Sequence, residues 1–268
     1  MRLSGAQLLG PVARRLVSAD RWTDQYPAFP AVAKELDELL RFADGQGRLP
    51  HFVPRLEARN AQRDEALSEL RIAYLFDESR FPVVQWEPPG LNGKVGEYLL
   101  GTPEGQNIFV EVKSPGWEGA LTEAARKAGR ARLPKFIPQA EGGAIGNWQP
   151  LQRCIASEKT YPKFAPTQPN LLADDLHVDL FEIPEHIEVA LYADHALYGE
   201  VGYFTTPRFE NLGGVALFRA FSELRSSGIE YEFQLFANPF ALPSTKLPDS
   251  LLRFKTKMRG IVRASIAS

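Results

Sequence analysis

Residues 107–113 read Asn107-Ile108-Phe109-Val110-Glu111-Val112-Lys113, a hydrophobic run that ends with an acid and a lysine two positions apart. A second run, residues 95–100, precedes it, and the separator 101–106 contains the Pro and Gly residues typical of a hairpin loop. If that loop is centred on Glu104, residues equally distant from Glu104 along the chain face each other across the hairpin. The sequence therefore predicts that Glu97 lies directly opposite Glu111.

Alternation of side chains along a strand places Phe109, Glu111 and Lys113 on one face of this hairpin. Opposed residues have Cβ atoms about 4.5–5.5 Å apart, so Glu97 joins that face. Two carboxylates at this separation repel each other, and a divalent cation would offset the cost. A lysine beside the cation can orient or deprotonate a water molecule for attack on a phosphodiester. The alternative is a solvated face, on which Glu111 and Lys113 form an exposed pair worth under about 1 kcal/mol.

Helices and strands alternate around the hairpin. A helix is predicted over about residues 57–78, and further helices near 121–132 and 148–159. The strands are predicted at residues 83–86, 95–100, 107–113, 170–173, 215–218 and 230–237. This order predicts an α/β fold with a mixed β-sheet flanked by helices.

Three segments together resemble the PD-(D/E)XK superfamily of restriction-endonuclease-like nucleases: Ser68-Glu69-Leu70-Arg71-Ile72-Ala73 on the helix, the acid of the first hairpin strand, and residues 108–113. The similarity continues in Gln168-Pro169-Asn170-Leu171-Leu172-Ala173 and Asn238-Pro239-Phe240-Ala241, and it covers roughly residues 60–242. The resemblance implies a restriction-endonuclease-like mixed β-sheet flanked by helices. The expected division of the chain is a helical N-terminal extension (1–56), a nuclease-like core (57–245) and a basic C-terminal tail (246–268).

The same resemblance implies a role for each matching residue. Glu111 would be the metal-binding acid of the E-x-K half-motif and Lys113 its lysine. Glu97 would stand where the family usually has the aspartate of a Pro-Asp pair, although Val95-Gly96-Glu97 contains neither Pro nor Asp, and the longer glutamate would shift the metal position. Glu69 would be the helix glutamate that often completes the metal site, with Glu65, one turn earlier, as a rival. The implied metal is Mg²⁺ or Mn²⁺.

Charge is unevenly distributed along this chain of 268 residues, whose net charge is −2. Residues 172–200 hold eight acids and no Lys or Arg, whereas residues 251–268 hold five basic residues and no acid. Such polarity would let one face approach phosphate, and the alternative is solvated helix faces. The tail is one candidate for phosphate contacts. The other predicted nucleic-acid contacts are Arg126, Lys127, Arg130, Arg132 and Lys135.

Composition favours a cytoplasmic protein that does not contact membrane. Hydrophobic residues make up 44% of the chain and charged residues 24%, as in soluble globular proteins. No run approaches the roughly 20 apolar residues of a membrane-spanning helix. The single cysteine, Cys154, excludes an intramolecular disulfide and a cysteine zinc site.

Other polar residues are weaker candidates for a site. The four histidines have no metal-ligand spacing, and surface or helix-cap positions are expected for them. Asp174, Asp175 and Asp179 could bind a cation, but they are expected to be solvated loop acids. Lys159 and Lys163 could contact phosphate or complement a helix dipole, and the dipole interpretation is slightly favoured.

The sequence therefore predicts a Mg²⁺- or Mn²⁺-dependent endonuclease of PD-(D/E)XK type, acting on DNA in restriction, repair or phage defence. Glu69, Glu97 and Glu111 would hold the metal, and Lys113 would act on the water. A homodimer would suit the cutting of two strands. The alternative is a nuclease-like domain that no longer cuts and serves as a nucleic-acid-binding or protein-interaction module, which the missing Pro-Asp pair and the modest net charge favour.

Overall fold

The structure is a computed structural model of the protein. It describes residues 29–58, 61–113, 155, 160–175, 191–192, 194–195, 200–221, 230–254 and 256–258. The helix predicted near 121–132 lies outside these residues, as does all but Ile155 of the helix predicted near 148–159.

Helices precede the sheet in the described part of the chain. They are α1 (Phe29–Gly45), α2 (Leu49–Glu57) and α3 (Ala61–Glu78), and a short α4 (Asp249–Leu252) follows the last long strand. Residues 46–48 separate α1 from α2. Gly47 has a positive φ of 66° there, and Pro50 lies in the first turn of α2, where its missing N–H costs little. Single turns of 3₁₀ helix are η1 (Leu91–Gly93), η2 (Tyr161–Lys163) and η3 (Pro207–Phe209).

A mixed sheet forms the centre of the fold. Its strands are β1 (Val83–Trp86), β2 (Tyr98–Gly101), β3 (Asn107–Lys113), β4 (Asn170–Asp175), β7 (Gly214–Phe221), β8 (Glu230–Ala237) and β9 (Thr256–Met258). They lie in the order β1-β2-β3-β4-β7-β8-β9, and β5 (Asp194–His195) pairs separately with β6 (Glu200–Val201). Pairing is parallel for β3–β4 and β4–β7 and antiparallel elsewhere. The predicted mixed sheet flanked by helices is confirmed.

The hairpin of β2 and β3 has the predicted register. Tyr98 pairs with Val110 and Leu99 with Phe109, so Glu104 is the centre of the loop. The predicted start of the first strand at Val95 is wrong, because regular pairing with β3 begins only at Tyr98. A Cβ on Gly96 would lie 2.3 Å from the Phe109 ring, so this ring packs directly on the glycine backbone. Val95 instead forms an isolated bridge with Pro89.

Two hydrophobic clusters cover the two faces of the sheet. Helices α1–α3 bury their apolar side chains against the face that carries Ile108, Val110 and Val112. The opposite face, with Phe109, lies in a second cluster. Each fully buried Leu or Phe contributes roughly 1.5–3 kcal/mol relative to exposure. Leucines and phenylalanines from both sides of the expected 56/57 boundary share the first cluster, and the boundary itself stays a prediction.

A buried ion pair joins α1 to α3, and a tyrosine of β8 binds the same carboxylate. The Arg71 guanidinium on α3 donates to Glu35 on α1, with Nε–Oε1 and Nη2–Oε2 distances of 2.6 and 2.7 Å. The Tyr231 hydroxyl on β8 donates to the same carboxylate at 2.5 Å. All three residues are buried, so the carboxylate loses water on every side and exchanges it for these donors.

Candidate active site

The open end of the β2–β3 hairpin brings Glu97 to Glu111. The Glu97 amide donates to the Val110 carbonyl at 3.1 Å, although Val110 is already the register partner of Tyr98, so the pairing shifts by one residue at Glu97. The direct opposition of Glu97 to Glu111 stays a prediction, but the charge of Glu111 acts on Glu97, so the two carboxylates lie in one region. The Glu111 side chain has no exposed surface, so an exposed Glu111–Lys113 pair, the alternative interpretation of this strand, is wrong.

Two lysines bind the buried Glu111 carboxylate. Lys113 Nζ donates to Oε1 at 2.5 Å, and Lys163 Nζ lies 2.6 Å from Oε1 and 2.7 Å from Oε2. The side chain of Lys113 is 31% exposed and that of Lys163 is 16% exposed, so both contact solvent, whereas Glu111 does not. The expectation that Lys163 complements a helix dipole is wrong. Lys163 belongs to a single 3₁₀ turn, and its ammonium group donates to the carboxylate of Glu111, 52 positions earlier in the chain.

Aromatic packing positions the turn that carries Lys163. The Tyr161 ring packs edge-on against Phe209, with ring centroids 5.0 Å apart. The Phe164 ring packs edge-on against Phe109, the residue on β3 two positions before Glu111, with centroids 6.1 Å apart. On the other side, a Cβ on Gly90 would lie 3.0 Å from the Lys163 carbonyl oxygen, so a larger residue there would press on the turn. The turn is thus held by Phe209, by Gly90 and, through Phe109, by the strand that carries Lys113.

The helix glutamate is also held by a cation of the protein. Arg55 on α2 donates two hydrogen bonds of 2.5 Å to the two oxygens of Glu69 on α3. This bidentate geometry is the strong form of an arginine–carboxylate contact. Glu69 is buried, whereas its rival Glu65 is exposed. Glu69 is therefore the residue of the two that belongs to the buried cluster.

Glu97 has the most perturbed acidity in the cluster. Burial, and then the charges of Glu69 and Glu111, raise the pKa of Glu97 from 4.5 to about 8, against the opposing effect of Lys113 and Lys163. The first cause reflects loss of water around the carboxylate, and the other two show that three carboxylates share one region. Perturbed groups of this kind concentrate at functional sites.

The two acids that end β4 are buried, so the expectation that Asp174 and Asp175 are solvated loop acids is wrong. Asp175 accepts a 2.5 Å hydrogen bond from Ser68 on α3. Asp174 is the register partner of Lys113 in the parallel β3–β4 pair and, by alternation from the buried Leu172, shares its face. Sequence reasoning missed this, although acids at the carboxyl end of a buried parallel strand lie where α/β sheets bind ligands.

Several candidates lie outside the described residues. They are Arg126, Lys127, Arg130, Arg132, Lys135, Cys154, Lys159, Asp179 and the tail beyond Met258. Among the residues that the structure describes, no group of three or more His, Cys, Asp or Glu side chains is arranged to hold a metal ion. Likewise, no helix in that part of the chain is long and apolar enough to cross a membrane.

Comparison with known proteins leaves the family open. No family model and no curated protein matches the sequence. Among solved structures, "The structure of Pyrococcus Furiosus SfsA in complex with Ca2+" is similar over 63% of this chain, with 15% identity and a TM-score of 0.27. The chain spans 60% of the length of that protein. With a TM-score this low, the interpretation of the site depends on the residues of this chain.

Proposed function

We propose that this protein is a PD-(D/E)XK-type endonuclease with a restriction-endonuclease-like core, which hydrolyses phosphodiester bonds of DNA with Mg²⁺ or Mn²⁺. The observation that supports the proposal is the buried Glu111 of the E-x-K strand, whose charge acts on Glu97 and which is bound by Lys113. The shared region with Glu69 adds a third acid from a helix, as the resemblance implies. A role in restriction, repair or phage defence fits this activity.

The donor chemistry of the cluster fits a hard divalent cation. Glu69, Glu97 and Glu111 supply only oxygen donors, which Mg²⁺ and Mn²⁺ prefer. The raised pKa of Glu97 reflects carboxylates that repel one another without enough water around them, an environment that a cation would relieve. When bound, the metal would polarise a phosphate oxygen and neutralise developing charge. Because Lys163 and Arg55 hold Glu111 and Glu69, metal binding competes with these contacts.

Hydrolysis requires one P–O bond to form and one to break. The oxygen of a water molecule bonds to phosphorus, the bond to the leaving alkoxide breaks, and protons from the water end on the leaving oxygen and in solvent. Lys113 donates to Glu111 as an ammonium with three N–H groups, so its other N–H groups can orient the water or stabilise a phosphate oxygen. Its partial exposure leaves it accessible to a substrate.

A second function is favoured by a specific observation. Glu111 and Glu69 are each held by basic side chains of the protein itself. A domain that has lost catalysis and retains a nucleic-acid-binding or protein-interaction role would need no other cation at these acids. A folded wild-type protein that binds DNA but shows no Mn²⁺ binding by titration calorimetry would favour this second function.

The decisive experiment is a cleavage screen on plasmid, linear duplex, single-stranded DNA and RNA, with Mg²⁺ or Mn²⁺, for wild type and Lys113→Ala. We expect wild-type cleavage of DNA, a loss of roughly 100-fold or more in Lys113→Ala, and nearly unchanged DNA binding. Lys246→Ala is the matched control. Lys246 is exposed next to Thr245, whose carbonyl faces Gly213 at the opposite end of the parallel strands. Parallel loss of binding and cleavage in Lys113→Ala would assign Lys113 a structural role.

A further inference from the structure

The Glu111 carboxylate has more cationic partners than its charge requires. One ammonium neutralises one carboxylate, yet Lys113 and Lys163 both lie within 2.7 Å of its oxygens. Holding a second lysine costs up to roughly 1.5–2 kcal/mol of side-chain entropy. The charges of both lysines also act on Glu97, so Lys113 and Lys163 together face more than one carboxylate at the edge of the site.

The order of burial places the two ammonium groups on the solvent side of Glu111. Glu111 has no exposed surface, whereas both lysines are partly exposed. A ligand arriving from solvent therefore meets two ammonium groups before it meets the carboxylate. Phosphodiester anions bind at such positions, because lysine ammonium groups supply the electrostatic part of nucleic-acid affinity.

Lys163 comes from a segment of the chain separate from the E-x-K strand. Its turn is held by the Tyr161 and Phe164 rings and by the approach of Gly90, and the Tyr161 hydroxyl accepts a 3.4 Å hydrogen bond from the Asn211 amide. The ammonium is thus aimed at Glu111 from a separate segment and is about half as exposed as that of Lys113. A merely solvated lysine would not be packed in this way.

We propose that Lys163 is a substrate-binding residue of the same site, which together with Lys113 binds the scissile phosphate of a nucleic acid. This inference rests on the proposed function only in taking nucleic acid as the ligand, and it requires no metal. Lys163 lies outside the E-x-K motif, so it would be a second phosphate contact delivered by the turn before β4.

The test is the salt dependence of DNA binding in EDTA, measured by fluorescence anisotropy with a fluorescein-labelled oligonucleotide. For Lys163→Met we expect an affinity loss of roughly tenfold at low salt and a salt slope lower by about 1, as for loss of one phosphate contact. Lys163→Arg should keep the slope, because the charge is retained. Lys246→Met should behave as wild type, because this exposed lysine lies at the opposite end of the parallel strands.

A second measurement uses the wild type and does not depend on folding of a variant. Bound DNA should protect the Lys163 amine from acetylation, read by mass spectrometry, and leave Lys246 as reactive as before. An unchanged salt slope in folded Lys163→Met, or no protection of Lys163, overturns the inference. If wild-type DNA binding depends on Lys163 but no substrate is cleaved, the nuclease function fails and the inference stands. If the wild type binds no DNA, both fail.

Discussion

Glu35 and Glu111 are two buried carboxylates of the same protein with different surroundings. Glu35 is held by the guanidinium of Arg71 and the hydroxyl of Tyr231, and all three groups are sealed in the core. Glu111 is held by Lys113 and Lys163, whose side chains reach the surface. In the first cluster one cation meets one anion, whereas in the second two cations meet one anion beside the perturbed Glu97.

The comparison shows how a structural buried charge differs from an available one. A charge whose partners are all sealed can only be exchanged by unfolding, so the Glu35 cluster contributes to cohesion between α1, α3 and β8. A charge whose partners open to solvent can exchange them for a ligand. The partly exposed lysines and the crowding of carboxylates at Glu111 mark the second kind of cluster.

The largest expected effect concerns the sealed cluster. Glu35→Ala should lower the free energy of unfolding by about 3–5 kcal/mol, because Arg71 is left as an uncompensated buried charge. Urea unfolding followed by circular dichroism measures this change. The salt slope of DNA binding should stay at its wild-type value in the folded fraction, since this cluster takes no part in the site.

The control for that prediction removes the whole cluster. The triple variant Glu35→Leu, Arg71→Met, Tyr231→Phe should recover most of the lost stability, because no buried charge remains without a partner. A Glu35→Ala protein as stable as wild type would break the comparison, since the sealed cluster would then contribute nothing.

A smaller effect is expected from Glu97, and its sign follows from its raised pKa. The folded protein binds a proton at Glu97 up to about pH 8, whereas the unfolded chain releases it near 4.5. Glu97 therefore makes stability fall as pH rises through this window, by at most roughly 1.4 kcal/mol per pH unit.

Glu97→Gln removes this dependence. The variant should nearly equal the wild type near pH 4.5 and exceed it by about 2 kcal/mol at pH 6, which is 1.5 units above the unfolded pKa. Thermal or urea unfolding at a series of pH values measures the difference. If the free energy of unfolding depended on pH in the same way for wild type and Glu97→Gln, Glu97 would not be crowded by Glu69 and Glu111. That result would contradict the contrast drawn between the two clusters.

The smallest effect sets the baseline for both clusters. Asp249 and Arg253 form an exposed ion pair on α4 with an N–O distance of 3.2 Å. Asp249→Asn should change the free energy of unfolding by less than about 1 kcal/mol, because water screens the pair. A loss as large as that of Glu35→Ala would show that burial is not what separates the clusters from ordinary surface pairs.

Much of the local structure could be predicted from the sequence. The strand 107–113 and the loop centred on Glu104 follow from alternation and turn residues that lie within twenty positions of one another. The shift of pairing at Glu97 could not be predicted in this way. It accompanies the packing of the Phe109 ring on Gly96, and a glycine in a strand pattern has several interpretations.

The sequence by itself determined the α/β order of elements, the E-x-K strand and the register of its hairpin, because hydrophobic periodicity and turn chemistry are written in neighbouring residues. Only the tertiary structure decided which cations hold these acids. Lys163 reaches Glu111 across 52 positions and Arg55 reaches Glu69 across 14, after packing of separate elements brings them together. The same packing buries Asp174 and Asp175 at the end of β4. Such contacts follow from the arrangement of whole elements, which no short segment of the sequence specifies.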